Sequence, residues 1–326
     1  MRLILCEQKI WRKMFNLFGK KRISTLLALL SIAATSNVLM ADEYCDTNNY
    51  GSSEQCCNSD QDYNSDQWCN TNACCDTGCN RLYIGGFGGE LFSNSTRISQ
   101  RGTAFFEEAV GGPLDVDARG HARKKKDVGF GGVQVGYEWK QCPYTLGCSN
   151  WSLTPAAELE AFWYRHERKG HLINLTERLP EHDFVDSFRL NVGVYLVNGI
   201  INFNNCGGCF SKFTPYVGGG IGAARIFLNK AKSTQIEPPE AGINHFNSGK
   251  DDTNWAFAAQ VKAGLRYNIC DRWHIFGEYR YLYIDTTHFI LGSTRYSTHA
   301  PTSPWDIKMK DITYNAFAFG IQIDLY

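Results

Sequence analysis

The stretch "GGVQVGYEWK", residues 131–140, sets Val133, Val135, Tyr137 and Trp139 against Gln134, Gly136 and Glu138 in strict alternation. Period 2 marks a β-strand with two unlike faces. The apolar face ends in two large aromatics, whereas the other face carries small or ionisable groups. Such a pair of faces serves a soluble core poorly. It suits a wall with lipid outside and a narrow polar interior.

Seven further segments alternate in the same way. "YIGGFGGELF" (83–92) places Tyr83, Phe87 and Leu91 on one face, and "LTPAAELEAFWY" (153–164) opposes Leu153, Leu159 and Trp163 to Glu158 and Glu160. "FRLNVGVYL" (188–196) reads as Leu190, Val192, Val194 and Leu196 toward lipid, with Arg189 and Asn191 inward. "PYVGGGIGAARIF" (215–227) is glycine-rich and its phase is open. "WAFAAQVKAGLRYNI" (255–269) is the cleanest, with Trp255, Phe257, Val261 and Leu265 opposite Gln260, Lys262 and Arg266. "WHIFGEYRYLY" (273–283) and "NAFAFGIQIDLY" (315–326) complete the set.

The connections run long, short, long, short along the chain, as in a barrel whose short turns lie on one side of a membrane and whose longer loops lie on the other. A soluble sandwich has no reason to keep that parity. Trp139, Trp163, Trp255, Trp273 and Tyr283 stand near segment ends, where interfacial aromatics belong. The expected fold is all-β: an eight-stranded antiparallel up-and-down transmembrane β-barrel with short periplasmic turns and long external loops.

The chain's first residues fit export. "GKKRISTLLALLSIAATSNVLMADEY" joins a basic start to an apolar run and small residues before a cut after Ala41, so residues 1–41 read as a signal peptide, with Met14 an alternative start. That apolar run is too short to span a bilayer as a helix. The whole chain carries 33 basic and 33 acidic residues; without seven basic and one acidic residue in 1–41 it has a net charge of −6, which argues against nucleic acid as a partner.

Residues 42–80 form a separate unit with Cys45, Cys56, Cys57, Cys69, Cys74, Cys75 and Cys79 among polar residues, so disulfides stand in for a core. No paired CxxC and no His favour a metal there. "DQDYNSD" (60–66) has calcium-loop spacing, but Ser65 and Thr71 stand where such a loop wants Gly and Glu, and it reads as a solvated acidic turn. Cys142 and Cys148 fall in the first short turn, Cys206 and Cys209 in the second, and Cys270 at the third. All 12 cysteines beyond residue 41 thus fall on the periplasmic side of a topology assigned without them. "CGGC" (206–209) lacks a surrounding βαβ pattern and reads as a structural disulfide, not a redox motif.

"PYVGGGIGAARI" followed by "AAQVKAGLRYNICDRWHIFGEYRYLYID" and an aromatic-rich final strand resembles the small eight-stranded outer-membrane barrels of the opacity-protein and outer-membrane-protein-A-like superfamily, including bacterial surface antigens. The resemblance covers residues 83–326 of the expected barrel domain, 81–326, and implies a fold, not an activity. One departure is that Leu325, not Tyr326, is in phase with the last strand. The cysteine-rich start is similar to envelope proteins of intracellular bacteria that stiffen the outer membrane through disulfides. The resemblance implies such proteins as disulfide partners.

The inward set comprises Glu90, Glu138, Glu158, Glu160 and Glu278 against Arg189, Lys262, Arg266 and Arg280. An eight-stranded barrel is just wide enough for side chains to fill, so these charges read as a lumen ionic plug; a narrow ion path is the competing reading. No nucleophilic, metal-ligating or cofactor-binding motif stands out, so the expectation is no enzyme, no metal and no cofactor. The loops 95–127, 166–184, 229–252 and 287–311 are the surface for adhesion or host molecules, and the basic run Arg123 to Lys126 is suited to lipid phosphates. The function read from sequence is a structural outer-membrane barrel with adhesive loops and periplasmic cysteines that cross-link. A small-solute channel and a soluble secreted ligand-binding barrel are the alternatives; the last requires the large apolar residues to face inward.

Overall fold

The computed structural model describes residues 80–124, 128–140, 144–145, 151–179, 181–205, 212–270 and 272–325. The expected signal peptide and all seven cysteines of 42–80 lie outside them. In chain order the strands are β1 (Arg81–Ser93), β2 (Thr96–Ala104), β3 (Leu114–Lys124), β4 (Val128–Glu138), β5 (Tyr144–Thr145), β6 (Trp151–Asn174), β7 (Asp183–Asn205), β8 (Phe213–Glu237), β9 (Asp252–Cys270), β10 (Trp273–Ile284), β11 (Thr287–Leu291), β12 (Trp305–Lys310) and β13 (Ile312–Asp324).

Eight of them close on themselves. β1 pairs with β4, β4 with β6, β6 with β7, and so on through β8, β9, β10 and β13, which pairs back to β1; every pairing is antiparallel. Closure leaves no edge with unpaired backbone groups, the condition for crossing a bilayer with strands.

The exposed faces are apolar. Val197, Val261, Ile221 and Phe319 are 57%, 57%, 62% and 70% exposed, whereas the neighbouring Gln260 and Lys262 are buried. A band of this kind is stable only against lipid. It removes the soluble ligand-binding barrel, which needed these residues inside. Trp139, Trp255 and Tyr283 are exposed along the wall, at positions where amphipathic rings suit the lipid–water boundary.

Above the lipid the wall continues. β6 pairs with β4 through Ala156–Tyr164, then takes β3 as its neighbour over Arg168–Asn174. β3 carries β2, β12 and β11 beside it. Segments expected as long loops are therefore largely sheet: a β2–β3 hairpin, a β11–β12 hairpin and the outer halves of β6, β7 and β8. Here the alternation inverts. Phe184, Phe188, Leu172, Ile98, Phe246, Phe289, Trp305, Ile307 and Met309 fill the inside, and Arg165, Glu167, Lys169 and Arg97 face out. Water now bathes the outer surface, so the apolar side chains turn inward.

The burial pattern corrects two expected strand phases. On β7, Leu190, Val192, Val194 and Leu196 are buried inside, and Tyr195, Val197 and Ile201 face lipid. On β1, Tyr83, Phe87 and Leu91 point inward and Glu90 is exposed outside. On β8, Lys230 has a φ of 52° beside a register shift opposite Ser187/Arg189. The inward residues accordingly change from even numbers, ending at Leu228, to Ala231, Ser233 and Gln235.

Candidate functional site

The barrel interior gathers four cations and four carboxylates. Lys262 on β9 reaches Glu158 Oε1 at 2.5 Å and Glu160 Oε2 at 3.1 Å on β6, with Glu278 Oε2 at 3.8 Å. Arg280 on β10 pairs with both Glu160 and Glu278. One layer nearer the short turns, Glu138 takes Arg81 at 3.1 Å and Arg266 at 3.2 Å. Arg81 extends the set to Asp324 at 3.4 Å.

Neutral groups complete the shell. The Tyr83 hydroxyl donates to Glu158 Oε2 at 2.9 Å, and the Tyr216 hydroxyl to Glu278 Oε2 at 2.8 Å. Asn198 Nδ2 donates to both Glu158 and Glu160, and Gln260 Nε2 to Glu160. Glycine makes room for the tyrosines: a Cβ on Gly136 would lie 2.3 Å from the Tyr83 ring, and one on Gly264 2.5 Å from Tyr216. Above this layer the Arg280 guanidinium lies 4.1 Å from the Phe87 ring centroid, and Phe87, Phe130 and Phe162 pack edge to face.

Of the residues expected in the lumen, the structure brings together Glu138, Glu158, Glu160, Lys262, Arg266, Glu278 and Arg280. Arg189 is not with them. It faces outward on the outer half of β7, where Arg189 Nη2 lies 2.8 Å from Glu167 Oε1. Glu90 is likewise outside. Both misplacements follow from the inverted phases. Arg81 and Asn198 were not foreseen. Arg81 shares a phase with Tyr83 and Phe87, and Asn198 and Asn202 continue β7 on its inner side, so the signal lay in following each strand to its short-turn end. Arg168, buried in the outer tier, was also missed; its guanidinium donates to Thr96 Oγ1 at 2.5 Å, Ser93 Oγ at 2.7 Å and the Tyr314 hydroxyl at 3.2 Å.

Cys270 ends β9, exposed, and is the one cysteine among the described residues. Cys142, Cys148, Cys206 and Cys209 lie outside the described residues, as do Lys125 and Lys126 of the basic run.

The outer tier bears a second feature. On the outward face of β12, β2 and β3, a groove of ≈ 460 Å³ is lined by Arg97, Arg101, Arg119, His121, Lys308 and Lys310, among others. Asp117 binds Arg119 at 2.6 Å and Arg101 at 3.1 Å, and Arg97 pairs with Asp311. Counting Asp306, five permanent cations face three carboxylates, which leaves the groove positive.

A closed antiparallel wall of eight strands, a lipid-facing apolar band and a charged interior define a transmembrane β-barrel of the bacterial outer-membrane class. The outer membrane protein PagN of Salmonella typhimurium is 29% identical over 172 residues, 52% of this chain and 64% of PagN. An uncharacterized protein of Brucella abortus is 28% identical over 118 residues, 36% of this chain and 38% of that protein. The chain thus spans less than two thirds of either relative. Among solved structures, the outer membrane protein OprG from Pseudomonas aeruginosa is similar, with a TM-score of 0.35 at 14% identity over 74% of this chain and 95% of OprG. No family model matches the chain.

Proposed function

We propose that the chain is a closed, non-catalytic envelope barrel whose outer tier is an adhesive surface, with the basic groove taking a partner rich in phosphate or sulfate groups. The groove carries this reading: Arg97, Arg101, Arg119, Lys308 and Lys310 converge on one face of a rigid sheet. Guanidinium groups match planar oxyanions in two-point contacts, and a groove with an excess of positive charge concentrates polyanions. Outer-leaflet lipid phosphates and sulfated glycans on a host surface share this chemistry.

The lumen supports a plug in place of a channel. Its four cations are all paired with carboxylates, those of Glu138, Glu158, Glu160, Glu278 and Asp324, and its upper layer is aromatic, an arrangement that favours a plug over an open ion path.

The purified protein in detergent is tested against immobilised sulfated glycan and against vesicles containing lipopolysaccharide. Substituting Arg97, Arg101 and Lys310 together by Glu lowers binding at least tenfold in the arm that uses the groove, and wild-type binding falls steeply with salt. Equal binding by the variant in both arms sinks the reading.

Residues 1–41 belong to this proposal as a cleaved export signal, and 42–80 as a periplasmic segment whose cysteines cross-link the barrel to other cysteine-rich envelope proteins. Extraction without reductant then yields high-mass species that vanish when residues 45–79 are deleted. Monomer alone under oxidising extraction argues against the cross-link.

A further inference from the structure

The outer tier holds a cluster of nitrogen and oxygen donors that neither the lumen nor the groove uses. Glu240 and His245 lie on the connection between β8 and β9, and His299 on the connection between β11 and β12. Their ligand atoms lie within 4.8 Å of one another. Glu240 Oε2 is 3.5 Å from His245 Nε2 and 3.5 Å from His299 Nε2.

The other ring nitrogens determine which atoms face the centre. His299 Nδ1 is 2.6 Å from the carbonyl oxygen of Ala300, an atom that only accepts, so Nδ1 carries a proton and in the neutral ring Nε2 presents the lone pair. Thr294 spends its hydroxyl proton on the His245 carbonyl at 3.0 Å, which leaves its oxygen to accept from His245 Nδ1 at 3.4 Å. His245 Nε2 therefore also presents a lone pair. With both rings neutral, two imidazole lone pairs and a carboxylate oxygen lie within 4.8 Å of one another.

His245 is 2% exposed, and both its Nε2 and Glu240 Oε2 are buried without a hydrogen-bond partner. Packing fixes the ring: it meets Phe184 edge to face at 5.2 Å and Trp305 at 6.1 Å, and its backbone N–H donates to Ser233 O at 3.0 Å.

We propose that Glu240, His245 and His299 form a binding site for a divalent transition metal of the zinc class, which clasps the β8–β9 connection to the β11–β12 connection at the outer mouth. Two imidazoles and one carboxylate suit such an ion better than calcium or magnesium, which prefer all-oxygen sets. Metal–ligand bonds of roughly 2.1 Å in a tetrahedron place donors about 3.4 Å apart. The two 3.5 Å separations match that edge. Hydrogen bonds from the distal ring nitrogens to Ala300 and Thr294 are the outer-shell supports that orient metal-bound histidines. Three protein ligands leave a fourth position for water or an external donor.

The test uses the full chain in detergent with free thiols alkylated, so that cysteines do not contribute, and titrates Zn²⁺ against a chromophoric chelator. Wild type takes up one more equivalent with micromolar or tighter affinity than His299→Ala or Glu240→Gln, each of which weakens that equivalent at least tenfold; Ca²⁺ and Mg²⁺ do not compete. Zn²⁺ also slows proteolysis within residues 237–252 and 291–305 of wild type and not of the variants. Heat-dependent gel mobility reports that both variants keep the barrel. Zn²⁺ uptake that is equal in wild type and both variants, or weaker than millimolar in wild type, overturns the proposal.

Discussion

Lys262 Nζ stands 2.5 Å from Glu158 Oε1 across the lumen, joining β9 to a strand three places away around the wall. The same ammonium also serves Glu160 and approaches Glu278. Removing one partner of a buried ionic cluster costs more than the cluster contributes, because the remaining charges stay desolvated. Lys262→Met leaves three carboxylates to Arg280 alone and destabilises the barrel by about 3–5 kcal/mol. Adding Glu158→Gln restores more than half of the loss. The temperature at which the folded gel band converts to the unfolded one measures both; a single variant as heat-resistant as wild type contradicts the cluster's role.

The opening strand gives a paired test. Val135 faces lipid, whereas Gln134 is buried inside at 2% exposure. An arginine at Val135 meets hydrocarbon and lowers stability by about 2–4 kcal/mol if it lies near mid-membrane. Gln134→Met changes an inward residue whose Oε1 has no hydrogen-bond partner, and shifts stability by less than about 1 kcal/mol. Folding yield into lipid vesicles compares them, and equal yields reverse the two faces.

Strands with one environment along their length were legible from period 2 alone. β4, β9 and β10 are of this kind, and their charged residues were found. β7 was not, because its outer half stands in water and its inner half in lipid. Leu190 and Val192 are apolar and inward above the membrane, while Tyr195 and Val197 are apolar and outward within it. A single window containing both favoured the longer aliphatic run. The donor cluster at the outer mouth was equally hidden, since Glu240 and His245 come from one connection and His299 from another 54 residues beyond His245. The β7 assignment is testable. Leu196→Ala, at a buried position, costs about 2–5 kcal/mol, and Val197→Ala on the lipid face costs much less. Denaturant unfolding from vesicles ranks the pair, and the opposite ranking restores the sequence-derived phase.

Asp186 supplies a pH dependence in the outer tier, above the lipid. Burial pushes its carboxyl up from 3.8 to about 7, partly offset by the hydrogen bond with Ser233. With its amide nitrogen turned toward the carboxyl, Gln100 lies 3.1 and 3.2 Å from the two oxygens. A raised folded-state value means that the folded tier holds the proton more tightly than the unfolded chain. Its stabilising contribution is complete below about pH 4 and is lost as pH rises through about 7, a change on the order of 4 kcal/mol at 1.36 kcal/mol per unit. Asp186→Asn keeps the shape and removes the titration. Amide exchange of the outer half of β7 between pH 4 and pH 8, corrected for the intrinsic pH dependence of exchange, shows protection falling in wild type and level in the variant. Parallel profiles for the two proteins mean that Asp186 ionises without strain, and that Gln100 and Ser233 together suffice to hold its charge.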